Sequence, residues 1–220
     1  MEGTLMTHAK ALPSYLVKRY QGWKANTYEA NASWYRKLGE GQHPRAMVIS
    51  CCDSRVHATE LFGVDQGEFF MHRNIANIVP PYQPDGGQHG TSAAIEYGVT
   101  ALKVAHLIVM GHSACGGVQG CIDMCEGNAP SLEEKESFVG RWVDVLRPAY
   151  AKVAEISDPA EKARELEKVA VLESIANLMT FPFIKERVEQ GDLSLHGLWH
   201  NIAEGGLEAY DPATGNFKQV

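Results

Sequence analysis

Positive charge is scarce in this chain. Its 220 residues carry 20 Lys and Arg against 27 Asp and Glu, for a net charge of −7, and the pI is about 5.7. That balance excludes a nucleic-acid partner, because a phosphate backbone is held by clustered cations. Long apolar runs are also missing. None approaches the roughly 20 residues that cross a bilayer, so no membrane association is expected. The opening stretch MEGTLMTHAKALPSYLVKRY has neither an apolar signal core nor a small-residue cleavage site, and the cytoplasm is the expected location. The five cysteines are an odd number and two are adjacent, which argues against a disulfide framework. There is no C-x-x-C knuckle, internal repeat, linker or low-complexity segment. A hydrophobic share of 45% is enough for a sizeable core, and a single domain over 1–220 is expected.

Against these absences, short apolar runs alternate with helical periods. Residues 5–38 read as a helical arm (about 1–40). Leu12, Leu16 and Tyr20 share one face of it, and Trp23, Tyr28, Trp34 and Tyr35 are aromatic anchors. Such an arm packs on a neighbour in its own or another subunit. GQHPR is a turn, and AMVIS is a strand that ends at Cys51. Residues 59–63 suggest a short helix, GEFFMHR a strand, and 74–90 a Pro- and Gly-rich loop. Residues 90–102 read as a helix with a small-residue face. VAHLIVMG is an apolar strand of the kind buried on both sides of a parallel sheet. Gly116 and Gly117 open the next helix. Residues 131–190 are helical, with breaks at 157–159 and 181–182. Strand returns over 193–210, and DPATG turns the chain into NFKQV. The prediction is an α/β fold: a central mixed sheet with a parallel core, flanked by helices, with an N-terminal helical arm.

Two motifs end apolar strands: CCDSR at 51–55 and HSAC at 112–115. In open α/β sheets the site lies at the carboxyl ends of strands, so the two read as one site. Catalytic zinc usually has three protein ligands and an open fourth position. Cys51, His112 and Cys115 can supply such a Cys2His set. Two thiolates cancel the formal charge of the ion, so its water ionises less readily and needs help. Arg55 can hold the Asp53 carboxylate in a bidentate pair, ionised and off the metal. Asp53 can then accept a hydrogen bond from the nucleophile. Without the arginine, Asp53 could become the fourth ligand.

Other chemistry-bearing residues read as structural. The strand period turns Cys52 to the opposite face from Cys51, as a core thiol. Cys121 and Cys125 lie four apart on a helix with no completing ligand. His196 and His200 share a strand face, His72 reads as a satisfied core histidine, and His8, His43, His57, His89 and His106 have no constellation around them.

SCCDSRV, GEFFMHRNIANIVPPY, GTSAAIEYGV and VMGHSACGGV cover most of residues 42–120. In these stretches, and in their order and spacing, the chain resembles a β-class carbonic anhydrase. The resemblance implies zinc, one per chain, on Cys51, His112 and Cys115, with Asp53 and Arg55 as a dyad. It implies reversible hydration of carbon dioxide to bicarbonate by a zinc-bound hydroxide. One pattern in the family, similar to the plant enzymes, keeps an open metal site and lines its pocket with Gln, Phe and Tyr. Gln42, Phe70 and Tyr97 stand at those positions, and Ile75 stands where that pattern has Val. The other pattern has a Trp three residues before the first zinc cysteine, at an inhibitory bicarbonate site. This chain has Val48 there, although Arg73 and Val56 would be compatible. The open type is therefore expected. The Gly116 N–H, just past the last ligand, is a further expected donor to substrate. The resemblance also implies a pocket completed by a second subunit. A homodimer is then the minimal unit, and a tetramer or octamer could be built from it. Hydrolysis of carbonyl sulfide or carbon disulfide on the same ligand set, and a non-catalytic zinc or redox module, stand as the competing functions.

Overall fold

The computed structural model describes residues 8–85 and 89–220. By internal contacts the chain forms two compact units, Met1–Gln42 and His43–Val220.

In the first unit, α1 (Ser14–Trp23) and α2 (Ala32–Leu38) are joined by a π turn, Lys24–Tyr28, and a 3-10 turn, Glu29–Asn31. The expected helical arm is present from Ser14 to Leu38, through an irregular joint, while residues 8–13 are not helical. Its first residues, 5–7, lie outside the described residues. Pro13 marks the start: its backbone is extended (φ −55°, ψ 140°), and it has no N–H to donate. The aromatic anchors gather on one another. The Trp23 ring centre lies 5.8 Å from Tyr28 and 5.6 Å from Tyr35. No residue of α1 or α2 is buried, and Tyr20, Trp23 and Trp34 are exposed.

The second unit is an α/β layer structure. Its elements, in order, are β1 (Ala46–Cys51), α3 (Ala58–Leu61), β2 (Phe69–Asn74), α4 (Gly90–Glu96), β3 (His106–His112), α5 (Gly116–Cys125), α6 (Phe138–Val143), α7 (Arg147–Tyr150), α8 (Pro159–Leu178), α9 (Pro182–Glu189), β4 (Ser194–His200), β5 (Leu207–Asp211) and β6 (Asn216–Gln219). The sheet order is β2-β1-β3-β4-β5-β6. The first four strands are parallel, and β5 and β6 return antiparallel. This is the mixed sheet with a parallel core. The expected helix over 90–102 is present, with α4 running on into a π-helical turn, Tyr97–Ala101. Asp158 caps α8 by accepting the Glu161 N–H at 2.7 Å, and Pro159 occupies the first turn, where its missing donor costs nothing.

Alternation along β1 splits the core. Met47 and Ile49 pack with Leu107, Val109 and Phe181 under one face. Val48 packs with Met110 and Leu198 under the other. Cys51 continues the first parity and joins Cys115, Val118 and Leu166 in a cluster at the carboxyl end of the sheet. Helix α8 lies against β3 and β4 because glycines let it come close. A Cβ on Gly111 would stand 2.8 Å from Val171 Cγ2 and 3.3 Å from the Glu167 carbonyl oxygen. Replacing Gly111 with Ala should therefore cost about 1–3 kcal/mol of stability by overpacking. The expected readout is a lower urea midpoint at an unchanged slope; a wild-type midpoint would show that α8 is not held this tightly.

Candidate metal centre

Two adjacent parallel strands deliver two of the candidate ligands. Cys51 is the last residue of β1, and His112 is the last of β3. Beyond His112 the chain needs a tight turn to bring Cys115 back, and Ala114 makes it in the left-handed region (φ 54°). Cys51, His112 and Cys115 are all buried, and their ligand atoms lie within 4.8 Å of one another. The Cys51 and Cys115 sulfurs are 4.0 Å apart. Two thiolates on one tetrahedral ion with metal–sulfur bonds near 2.3 Å would stand about 3.8 Å apart, so the spacing fits. His112 donates from Nδ1 to the Ser113 carbonyl at 2.9 Å. That bond fixes the tautomer and turns Nε2 toward the sulfurs. Nε2 is fully buried and has no hydrogen-bond partner. An orphaned imidazole nitrogen beside two sulfurs is what a metal ligand set looks like without its ion.

The electrostatics agree. The hydrogen bond from Cys115 pulls the Cys51 thiol down to about 4, against burial and with help from His112. The same bond, with burial, pushes Cys115 up. Burial opposes an imidazolium at His112, but Cys51 and the Ser113 carbonyl outweigh it and raise its pKa. The pair thus gives up one proton readily and holds the second, until a cation replaces it.

Asp53 and Arg55 form the expected dyad. Arg55 donates Nε to Oδ1 at 2.9 Å and Nη2 to Oδ2 at 2.6 Å, and its backbone N–H reaches Oδ1 at 2.9 Å. These bonds hold the Asp53 carboxyl well below the usual carboxylate range. Arg55 Nη2 also donates to the Ala114 carbonyl at 3.1 Å, which ties the dyad to the HSAC turn.

Two side chains outside the two motifs bind the loops that carry them. Arg73 donates to the carbonyls of Cys51, Asp53 and Val56 at 2.7–2.9 Å. It staples the loop that carries ligand and dyad, and its guanidinium is spent on main chain. Glu167 of α8 is only 4% exposed. Its Oε1 accepts the Cys115 N–H at 3.1 Å, and its Oε2 accepts the Trp199 indole at 3.0 Å. Burial pushes its carboxyl up, and the Cys115 and Trp199 donors, with smaller help from His112 and the Ala114 N–H, pull against that. The available signal was periodicity: Glu167, Val171, Ser174 and Leu178 fall on the buried stripe of α8.

The pocket residues divide. Ile75 lies over the start of α5, where a Cβ on Gly117 would meet its Cγ2 at 2.6 Å. Gly116 is the first residue of α5, and a Cβ added there would meet nothing within 4 Å. Phe70 and Tyr97 sit together elsewhere, ring centres 5.8 Å apart. Phe70 pairs with Met47 while Asn74 pairs with Cys51, so Phe70 is about 13 Å down the strand from its own ligand. Gln42 is exposed at the end of the first unit.

Two structural expectations are corrected. Cys52 is exposed, not a core thiol. The strand stops at Cys51, so alternation no longer governs its side chain. His106 does have a partner: its Nδ1 lies 3.2 Å from His196 Nε2, because the register places His196 opposite Ile108.

With the geometry in place, comparison with known proteins gives the family. The carbonic anhydrase profile matches residues 46–207. Beta carbonic anhydrase 3 of Arabidopsis thaliana is 34% identical over 193 residues, which span 86% of this chain and 73% of that protein. The structure of the β-carbonic anhydrase CcaA superposes with a TM-score of 0.86 at 31% identity, covering 94% of this chain and 91% of that one. A tetrameric β-carbonic anhydrase of Sordaria macrospora superposes with a TM-score of 0.74 at 30% identity, covering 89% and 95%. The chain belongs to the carbonic anhydrase family of enzymes. Within that family it is of the β class. Among the described residues, no helix is long and apolar enough to cross a membrane.

The donor set makes metal uptake a proton-linked event. Affinity for a divalent ion, measured by chelator competition, should fall steadily as pH drops below neutrality, because the thiols and His112 Nε2 must shed protons to bind. A flat affinity across that range would place the ion on other groups.

Proposed function

We propose that the chain interconverts carbon dioxide and bicarbonate at a zinc ion held by Cys51, His112 and Cys115. The observation that carries this is the orphaned Nε2 of His112, buried beside two sulfurs 4.0 Å apart. Zinc bound there would supply the Lewis acidity that lowers the pKa of a bound water. The chain's own residues do the remaining work. Asp53, kept ionised by Arg55, accepts a hydrogen bond from the nucleophile and points a lone pair at the substrate carbon. Ile75, 38% exposed, offers an apolar wall suited to an uncharged substrate. The Gly116 N–H opens a helix and donates to a substrate oxygen as charge develops there.

The site is of the open kind on this reading. Three donors from Arg55 hold Asp53 away from the metal. Val48 is a fully buried core residue, and Arg73 is spent on three carbonyls, which leaves it poorly placed to hold an inhibitory anion.

We further propose that Gln42, Phe70 and Tyr97 serve the metal of a second copy. Phe70 and Tyr97 keep each other company far from their own ligands, and one solved relative is described as tetrameric. A homodimer is then the smallest active unit, made of one domain per subunit over 1–220. Five cysteines that form no disulfide are in keeping with the cytoplasm as its compartment.

Stopped-flow hydration of carbon dioxide, with zinc quantified on the same sample, tests the reading. Cys51→Ser should lose zinc and activity together. Asp53→Asn should keep zinc and lose at least about 100-fold in turnover. Full activity in Asp53→Asn would remove the role given to that carboxylate. Full zinc with no hydration in the unaltered protein would move the assignment to carbonyl sulfide or carbon disulfide.

A further inference from the structure

Glu167 is an unusual group to find behind a metal site. It is a carboxylate with 4% exposure, and among the described residues no Lys or Arg pairs with it. Its neighbour Lys168 is engaged with Glu208 at 2.7 Å. Each of its oxygens accepts one N–H, from Cys115 and from Trp199. Ordinary core packing would be served better by an apolar residue at that position of the stripe.

The peptide it touches joins Ala114 to Cys115. Arg55 grips the carbonyl end of that peptide at 3.1 Å, and Glu167 grips the N–H end at 3.1 Å. Ala114 is in the left-handed region (φ 54°), which a residue with a Cβ adopts only when its surroundings enforce it. The rotation of this peptide sets where the Cys115 Cβ, and so its sulfur, points.

We propose that Glu167 is a positioning residue of the metal centre, clamping the Ala114–Cys115 peptide from the core side while Arg55 clamps it from the solvent side, so that the Cys115 sulfur is aimed at the metal before the ion binds. The proposal rests on Cys51, His112 and Cys115 being the ligands. It also explains why the residue is Glu rather than Gln. Two N–H donors face it and both need an acceptor, whereas an amide would turn its NH2 toward one of them.

The test loads unaltered protein, Glu167→Gln and Trp199→Phe with cobalt(II) in place of zinc. Thiolate-to-cobalt charge-transfer and ligand-field bands are recorded, and zinc affinity is measured by chelator competition. Glu167→Gln should shift the bands and weaken zinc binding on the order of 10–100-fold. Trp199→Phe removes the other donor but leaves the Cys115 contact. It should lower the melting temperature and keep the unaltered bands. If Glu167→Gln does not fold, Glu167→Asp takes its place: it keeps the charge, withdraws the oxygen from Cys115 and should shift the bands in the same sense. Unaltered bands and affinity in the Glu167 variant would overturn the proposal whatever its melting temperature. So would a Trp199→Phe shift as large as that of Glu167→Gln. Failure of the unaltered protein to bind cobalt or zinc would instead remove the ligand assignment itself.

Discussion

Two sulfur atoms 4.0 Å apart in a buried site cannot both carry charge unless a cation lies between them. Much else in the structure follows from that constraint. The two cysteines pull each other's proton affinities apart, and the histidine beside them keeps a nitrogen with no partner. Unmet demands gathered in one place suit a site that an ion would satisfy. The same constraint explains the dyad. On the proposed function, two thiolates would leave the ion formally neutral and weak as an acid, so the chemistry would lean on a carboxylate nearby. That carboxylate needs a guanidinium to keep it from becoming a ligand itself.

The scaffold is arranged to hold this constellation still. Parallel neighbours β1 and β3 place Cys51 and His112 side by side, and the chain returns with Cys115 through one left-handed residue. Arg73 staples the first ligand loop through three carbonyls. Gly111 and Gly197 let α8 approach the sheet closely enough to bring Glu167 under the second. Arg55 belongs to both loops, through Asp53 and through the Ala114 carbonyl. The two motifs, 59 residues apart at that contact, are thus coupled by one side chain.

The Cys51, His112 and Cys115 cluster and the Asp53–Arg55 pair were legible in the sequence because each lies in a short motif at the end of an apolar strand. The spacing C-x-D-x-R and H-x-x-C encodes their chemistry directly. The sheet was legible for a similar reason: strand-length apolar runs between helical periods leave few topologies. Other features depend on facts that periodicity does not carry. Cys52 escaped because alternation holds only while the strand lasts, and β1 ends one residue earlier. The His106–His196 contact needed the register of β4 against β3. The arm was legible as helical, but its period does not show that its aromatic residues close on one another around an irregular joint. Glu167 was visible only as a charge on an apolar stripe, and its target, a backbone N–H 52 residues away, leaves no trace in a local pattern.

An open metal site requires Asp53 to stay with Arg55 when the metal is bound. The most direct measurement is a crystal structure of the zinc-loaded protein grown at mildly acidic pH, where a carboxylate competes best with water for the ion. The account predicts zinc on Cys51, His112 and Cys115, a solvent oxygen in the fourth position, and both Asp53 oxygens still paired with Arg55. An Asp53 oxygen about 2.0–2.2 Å from the zinc, with Arg55 turned away, would contradict it.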